Sequence, residues 1–157
     1  MTDKSRPIAI VMATCILTFL FVGTAGYAST DYDTTVLTVT NKEGETVTTV
    51  TAKIADQPLL RYRGLSGTDR LDTGTGMWFV YSAADTRVFV MRDMNYPIDI
   101  VFVDGRRRIH QIHSAPVEDQ TPLTRYAGWA RWVLEVPYGW ARRNRIRPGF
   151  TVHLSSE

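Results

Sequence analysis

Short runs of β-branched and aromatic residues, separated by turns containing glycine, proline or asparagine, recur along residues 36–154, and this pattern confines the chain to a sheet. Residues 36–40 (VLTVT) and 45–54 (ETVTTVTAKI) flank Asn41-Lys42-Glu43-Gly44 and read as a hairpin. Residues 98–103 and 106–113 read as a second hairpin, because Asp104-Gly105 supplies two residues that readily take positive φ in a type I′ turn. Further strands are expected at 77–81 (MWFVY), 87–92 (RVFVMR), 132–136 (WVLEV) and 150–154, the last following a turn at Pro148-Gly149. Residues 56–62 predict a short helix with Asp56 as N-cap, Pro58 in its first turn and Gly64 ending it, so that Leu59, Leu60 and Leu65 face the core. A second helical turn is expected at 139–144, and the stretches 66–76 and 114–126 read as loops. The fold class is mainly β, a β-rich α+β arrangement: one compact domain, a meander or partly closed β-barrel with one or two short helices.

What precedes this body has a different character. No charge occurs in residues 7–30, and residues 8–22 are almost wholly apolar. About twenty residues of helix cross a hydrocarbon core of roughly 30 Å, so the segment 1–30 is long enough for a membrane anchor. A cleaved signal peptide is the alternative, with Gly26-Tyr27-Ala28 as the cleavage context. Lys4 and Arg6 precede the segment and Asp31 and Asp33 follow it, which by the positive-inside bias leaves the N-terminus in the cytoplasm and the domain outside. Residues 31–35 then read as a short tether and 36–157 as the domain. Cys15, the one cysteine, falls within the apolar run, so the exported part forms no internal disulfide.

Several blocks resemble a known family: Arg63-Gly64-Leu65, Gly76-Met77-Trp78-Phe79, Phe89-Val90-Met91-Arg92, residues 97–104, Leu134-Glu135-Val136-Pro137 and Gly139-Trp140. In order and approximate spacing they resemble the domain of unknown function 192 family over about residues 52–154. The resemblance implies a compact β-rich fold in bacterial and archaeal proteins that are often exported, and no established reaction. This chain has Val90 where the family commonly has an aromatic residue, Asp93 where it has Asn, and Ser66 where Met often follows Arg-Gly-Leu.

Two acids stand out. Asp99 and Glu135 each interrupt an apolar strand, where a carboxylate is costly unless it is paired or used. If both pointed into one cavity they could act as general acid and base; otherwise each would be satisfied by an arginine such as Arg63 or Arg92, or by backbone amides. Met77, Met91 and Met94 with Trp78, Phe79 and Phe89 would line an apolar pocket or form core. His110 and His113 are three apart on a strand, hence on opposite faces, and with His153 distant no metal site is expected. Arginines at 106–108 and at 142, 143, 145 and 147 read as a solvated basic surface, and a net charge of +2 gives no reason to expect a nucleic-acid partner. No P-loop, nucleophile elbow or dinucleotide fingerprint is present and no cofactor is expected.

The expected function is therefore that of a membrane-tethered or exported binding or accessory domain of the cell envelope, taking a small molecule or polymer in a cleft near Arg63, Met91, Arg92, Asp99, Glu135 and Trp140. The alternative is a hydrolase of an envelope glycan that uses Asp99 and Glu135 as paired acids.

Overall fold

The computed structural model describes residues 32–155; the apolar segment at 1–30 and residue 31 lie outside them. Seven strands follow one another as β1 (Thr34–Thr40), β2 (Thr46–Ala55), β3 (Thr75–Phe89), β4 (Ile98–Val103), β5 (Ile109–Ala115), β6 (Tyr126–Pro137) and β7 (Thr151–Leu154). The helix α1 (Pro58–Arg63) lies between β2 and β3, and α2 (Trp140–Arg143) between β6 and β7. All strands belong to one sheet in the order β5-β4-β6-β3-β2-β1-β7.

That order is a correction to a simple meander. β3 runs parallel to β2, which requires the crossover that α1 and the following loop provide, and β6 inserts between β3 and β4. The sheet curls until its edges meet at one end. Arg108 bridges Thr151, Ile109 N–H donates to the Phe150 carbonyl (2.8 Å) and Val152 N–H donates to the Arg107 carbonyl (2.9 Å). The result is a half-barrel closed at that end, as a partly closed barrel predicts.

Local readings shift in ways that physical chemistry explains. Residues 77–81 and 87–92, expected as separate strands, belong largely to one long β3 whose pairing with β6 is interrupted between Val80 and Asp85. Thr34 and Thr35, read as tether, pair with Lys53 and Ala52 as the first residues of β1. The N-cap of α1 is Gln57 rather than Asp56, and Leu59 points away from the core while Leu65 is buried. The hairpin at Asp104 forms without a type I′ turn. Arg107 N–H donates to the Asp104 carbonyl, Arg107 itself carries the positive φ (65°), and Asp104 Oδ1 accepts the amides of Arg106 and Arg108. The aspartate thus organises a three-residue loop through its side chain, and Gly105 is not needed in a left-handed conformation.

Both faces of the sheet are covered. Along β4, Val101 and Val103 join a cluster with Leu37, Val50, Trp78, Leu134, Val136 and Trp140, while Ile98, Ile100 and Phe102 join Met77, Phe79, Met91 and Val133 on the other face. Every residue of β4 is buried, which is why this strand reads as a continuous apolar run rather than an alternation. Gly128 allows the close approach of β6 to this second cluster, since a Cβ there would lie 2.5 Å from Phe102 Cγ. Gly128→Ala is expected to lower the unfolding free energy by about 1–3 kcal/mol through overpacking, measured as a shift in the urea midpoint without a change in m.

Candidate functional site

The register of β4 against β6 decides the geometry of the two acids. Asp99 is opposite Val136 and Glu135 is opposite Ile100. Directly opposed residues share a face, so the carboxyls point to opposite faces of the sheet. The paired-acid arrangement is thereby corrected: carboxyls that share one scissile bond stand roughly 5–10 Å apart in one cleft, and here a sheet lies between them.

Asp99 faces the barrel interior and is fully buried. Ser114, its cross-strand partner on β5, donates its hydroxyl to Oδ1 at 2.7 Å, and the Ala141 amide of α2 donates to Oδ2 at 2.9 Å. Trp140 beside it is core on the same face. These residues hold α2 to the sheet rather than lining a cleft.

Glu135 is the opposite case. It lies in a central strand between Met77 of β3 and Ile100 of β4, 6% exposed, and its Oε2 has no hydrogen-bond partner. Burial pushes its carboxyl up to about 8, so at neutral pH it is a carboxylic acid that can donate as well as accept. Above it opens a cleft of about 230 Å³. Phe79, Phe89 and Met94 form apolar wall, Gly64, Leu65 and Ser66 close one side, and Arg61, Arg63, Arg92, Tyr62 and Tyr81 line it as well.

Each wall has a local cause. Gly64 ends α1 with φ +52°, turning the chain back over Phe79, whose ring would lie 3.4 Å from a Cβ at that position. Arg92 donates to the Tyr62 carbonyl at 2.6 Å and stacks on the Tyr62 ring, 4.2 Å from its centroid. Arg61 donates to the carbonyls of Val80 (2.9 Å) and Asp56 and lies over the Tyr81 ring. Burial raises Tyr81 above the usual phenol value, with Arg87 and Arg61 pulling it down and Glu135 adding to the rise. None of the three cleft arginines makes an ion pair with Glu135.

Of the residues expected in a site, Arg63, Arg92 and Glu135 come together, whereas Asp99 and Trp140 lie on the far face and Met91 is buried in core behind the cleft. Arg61, Tyr62 and Tyr81 were not legible, since only the α1 crossover and the parallel β2–β3 pairing bring them to Glu135. His113 packs edge-on against Phe102 and Tyr126, His110 is exposed, and His153 bonds Thr40 Oγ1. Among the described residues no group of three or more His, Cys, Asp or Glu is placed to hold a metal ion.

Fold and cleft define a small half-barrel domain with a neutral acid at the base of an arginine-lined pocket. The chain belongs to the family DUF192, described as Uncharacterized ACR, whose sequence profile matches residues 38–154. A protein from Sinorhizobium meliloti 1021 described as a candidate transcription regulator has a similar structure, with a TM-score of 0.72 and 21% identity over 81% of this chain and 98% of that one. A protein of unknown function from Novosphingobium aromaticivorans DSM 12444 is also similar, with a TM-score of 0.70 and 28% identity over 81% and 89%. No curated protein matches the chain.

Two measurements separate the acids. Asp99→Ala leaves the buried Ala141 amide without its acceptor, while the exposed Ser114 hydroxyl can turn to water, and is expected to cost about 1–3 kcal/mol in urea unfolding, with faster hydrogen exchange at the Ala141 amide. For Glu135 the folded pKa lies above the unfolded one, so between pH 4.5 and 8 the native state holds a proton that the unfolded chain has lost. The stability present below pH 4.5 is therefore lost as pH rises to about 8, at a slope of up to about 1.4 kcal/mol per pH unit. Glu135→Gln is expected to flatten that slope and to be the more stable form at pH 9, read from thermal midpoints across pH.

Proposed function

We propose that the protein is an extracytoplasmic binding domain of the cell envelope, held at the membrane by its N-terminal segment, and that its ligand enters the cleft over Glu135. The observation that carries this reading is Glu135, which lines the cleft while its buried Oε2 has no hydrogen-bond partner within the described residues. Such an atom is costly to leave without a partner, and a rotation of the carboxyl toward a group bound in the cleft supplies one.

The walls favour one kind of ligand. A neutral carboxyl beneath three guanidinium groups disfavours a cation. It suits a small polar molecule, or the end of a polymer, that carries an anionic group for the arginines and a hydroxyl or amide for Glu135. The aromatic wall of Phe79 and Phe89 accommodates an apolar edge. Support for the envelope placement comes from the charge-free segment at residues 7–30 and the basic residues before it. Among the described residues no helix is long and apolar enough to cross a membrane, so an anchor would lie in residues 1–30.

The test is thermal shift of the full chain in detergent against glucuronate, N-acetylmuramate, glycerol phosphate and short peptides with a free carboxylate. A binder at about 100 times its Kd is expected to stabilise by about 2.7 kcal/mol, a shift of several degrees. Glu135→Gln and Arg63→Ala should each remove most of that shift while leaving the fold intact. A shift that persists in both variants, or no shift with any of these acids, would count against the cleft as the binding site.

A further inference from the structure

We infer that the α1 face of the domain, with Leu59, Tyr62, Val88 and Val90 as apolar contacts and Arg61, Arg63 and Arg92 as cations, rests on the headgroup layer of an anionic bilayer. The inference depends on the membrane-tethered reading above and adds an orientation to it: the cleft opens at the membrane surface.

The first ground is the helix itself. None of the residues of α1 is buried, and Leu59 and Tyr62 are 69% and 70% exposed. Val88 and Val90, 40% and 39% exposed, continue this surface across the cleft. Apolar and aromatic side chains gathered about one opening mark an interaction surface rather than scattered exposure. Tyrosine and arginine beside leucine are also the composition of surfaces that lie at a bilayer interface.

The second ground is where the chain enters. Tyr32, the first described residue, packs beside the end of α1, its hydroxyl 3.5 Å from the Gly64 carbonyl oxygen, with Lys53 over its ring. Nine residues lie between Val22, the end of the apolar run, and Tyr32, and a fully extended chain spans that interval in about 35 Å. A domain tethered so closely, by a residue adjoining α1, presents that end to the bilayer.

The third ground is charge. Arg61, Arg63 and Arg92 line the opening, where Glu135 is the one acid; Asp93 beside it is engaged by Arg92 at 3.8 Å, and at the margins Lys53 and Arg87 are accompanied by Asp33, Asp56 and Asp85. Cations near an anionic leaflet gain from its surface potential within a Debye length. The other basic region, about Lys42, Arg108, Arg145 and Arg147, lies toward the opposite end of β1, roughly 20 Å away along the strand, and serves as the reference surface.

The experiment uses the full chain with Cys15→Ser and one new cysteine, either Gln57→Cys beside α1 or Arg147→Cys at the far end. Each is labelled with an environment-sensitive fluorophore and reconstituted in phosphatidylethanolamine–phosphatidylglycerol vesicles that carry a headgroup spin label. Quenching is expected to be roughly twofold or more stronger at position 57 than at 147. Leu59→Ser with Tyr62→Ser should abolish the difference, while circular dichroism is unchanged, as is expected for exposed positions. Equal quenching at both positions in chains that float with the vesicles overturns the orientation and leaves the tethered binding domain standing. Failure of the chain to float overturns the tether and, with it, the orientation.

Discussion

The placement of β6 between β3 and β4 is the constraint on which the rest of the molecule depends. A strand hydrogen-bonded on both sides has no freedom of register, because a slip of one residue would carry every side chain to the other face. Once Glu135 is opposite Ile100 and Met77, Leu134 and Val136 must point into the barrel, and Asp99 must follow Val136 inward. Gly76 shows how tight this arrangement is: a Cβ there would lie 2.7 Å from the Glu135 carbonyl oxygen, so backbone approaches backbone directly beside the acid. The position of the cleft is thus a property of the sheet rather than of its loops.

Two acids of similar sequence context consequently have unrelated roles. Asp99 receives two donors, from Ser114 and from the Ala141 amide, and these hold α2 across the barrel mouth. Glu135 receives none at Oε2, and an apolar surrounding favours its neutral form. The nearby arginines do not relieve it, because Arg61 and Arg92 are committed to backbone carbonyls and aromatic rings. A guanidinium held in this way contributes direction and field at the cleft without neutralising the acid below it.

Much of this was legible in the chain, and the reason the remainder was not is physical. Runs of β-branched residues mark the strands, and alternation along each one correctly assigns Asp99 to the face of Val101 and Val103, and Glu135 to that of Val133. Family-like blocks delimit the domain. What alternation cannot supply is which strands meet. Parallel pairing of β2 with β3 and insertion of β6 are non-local, and those contacts alone separate Asp99 from Glu135 and gather Arg63, Arg92 and Glu135. Polar residues at 82–86 read as a break because exposed extended chain resembles a loop in sequence, although β3 continues through them. The Asp104-Gly105 hairpin was located by its turn residues, but its conformation follows from the carboxylate of Asp104, which competes successfully for two amides.

The seam between Arg108 and Thr151 has a consequence for solubility. Sheet edges are the usual template on which stray strands add, and most small β domains must guard them with charge, bulges or covering loops. Here the beginnings of β5 and β7, the two outermost strands, are joined by backbone bonds through the residues just before each, Arg107 and Phe150, so that part of each rim is withdrawn from foreign chains. Because amides rather than sulfurs make the joint, it works equally well under oxidising and reducing conditions.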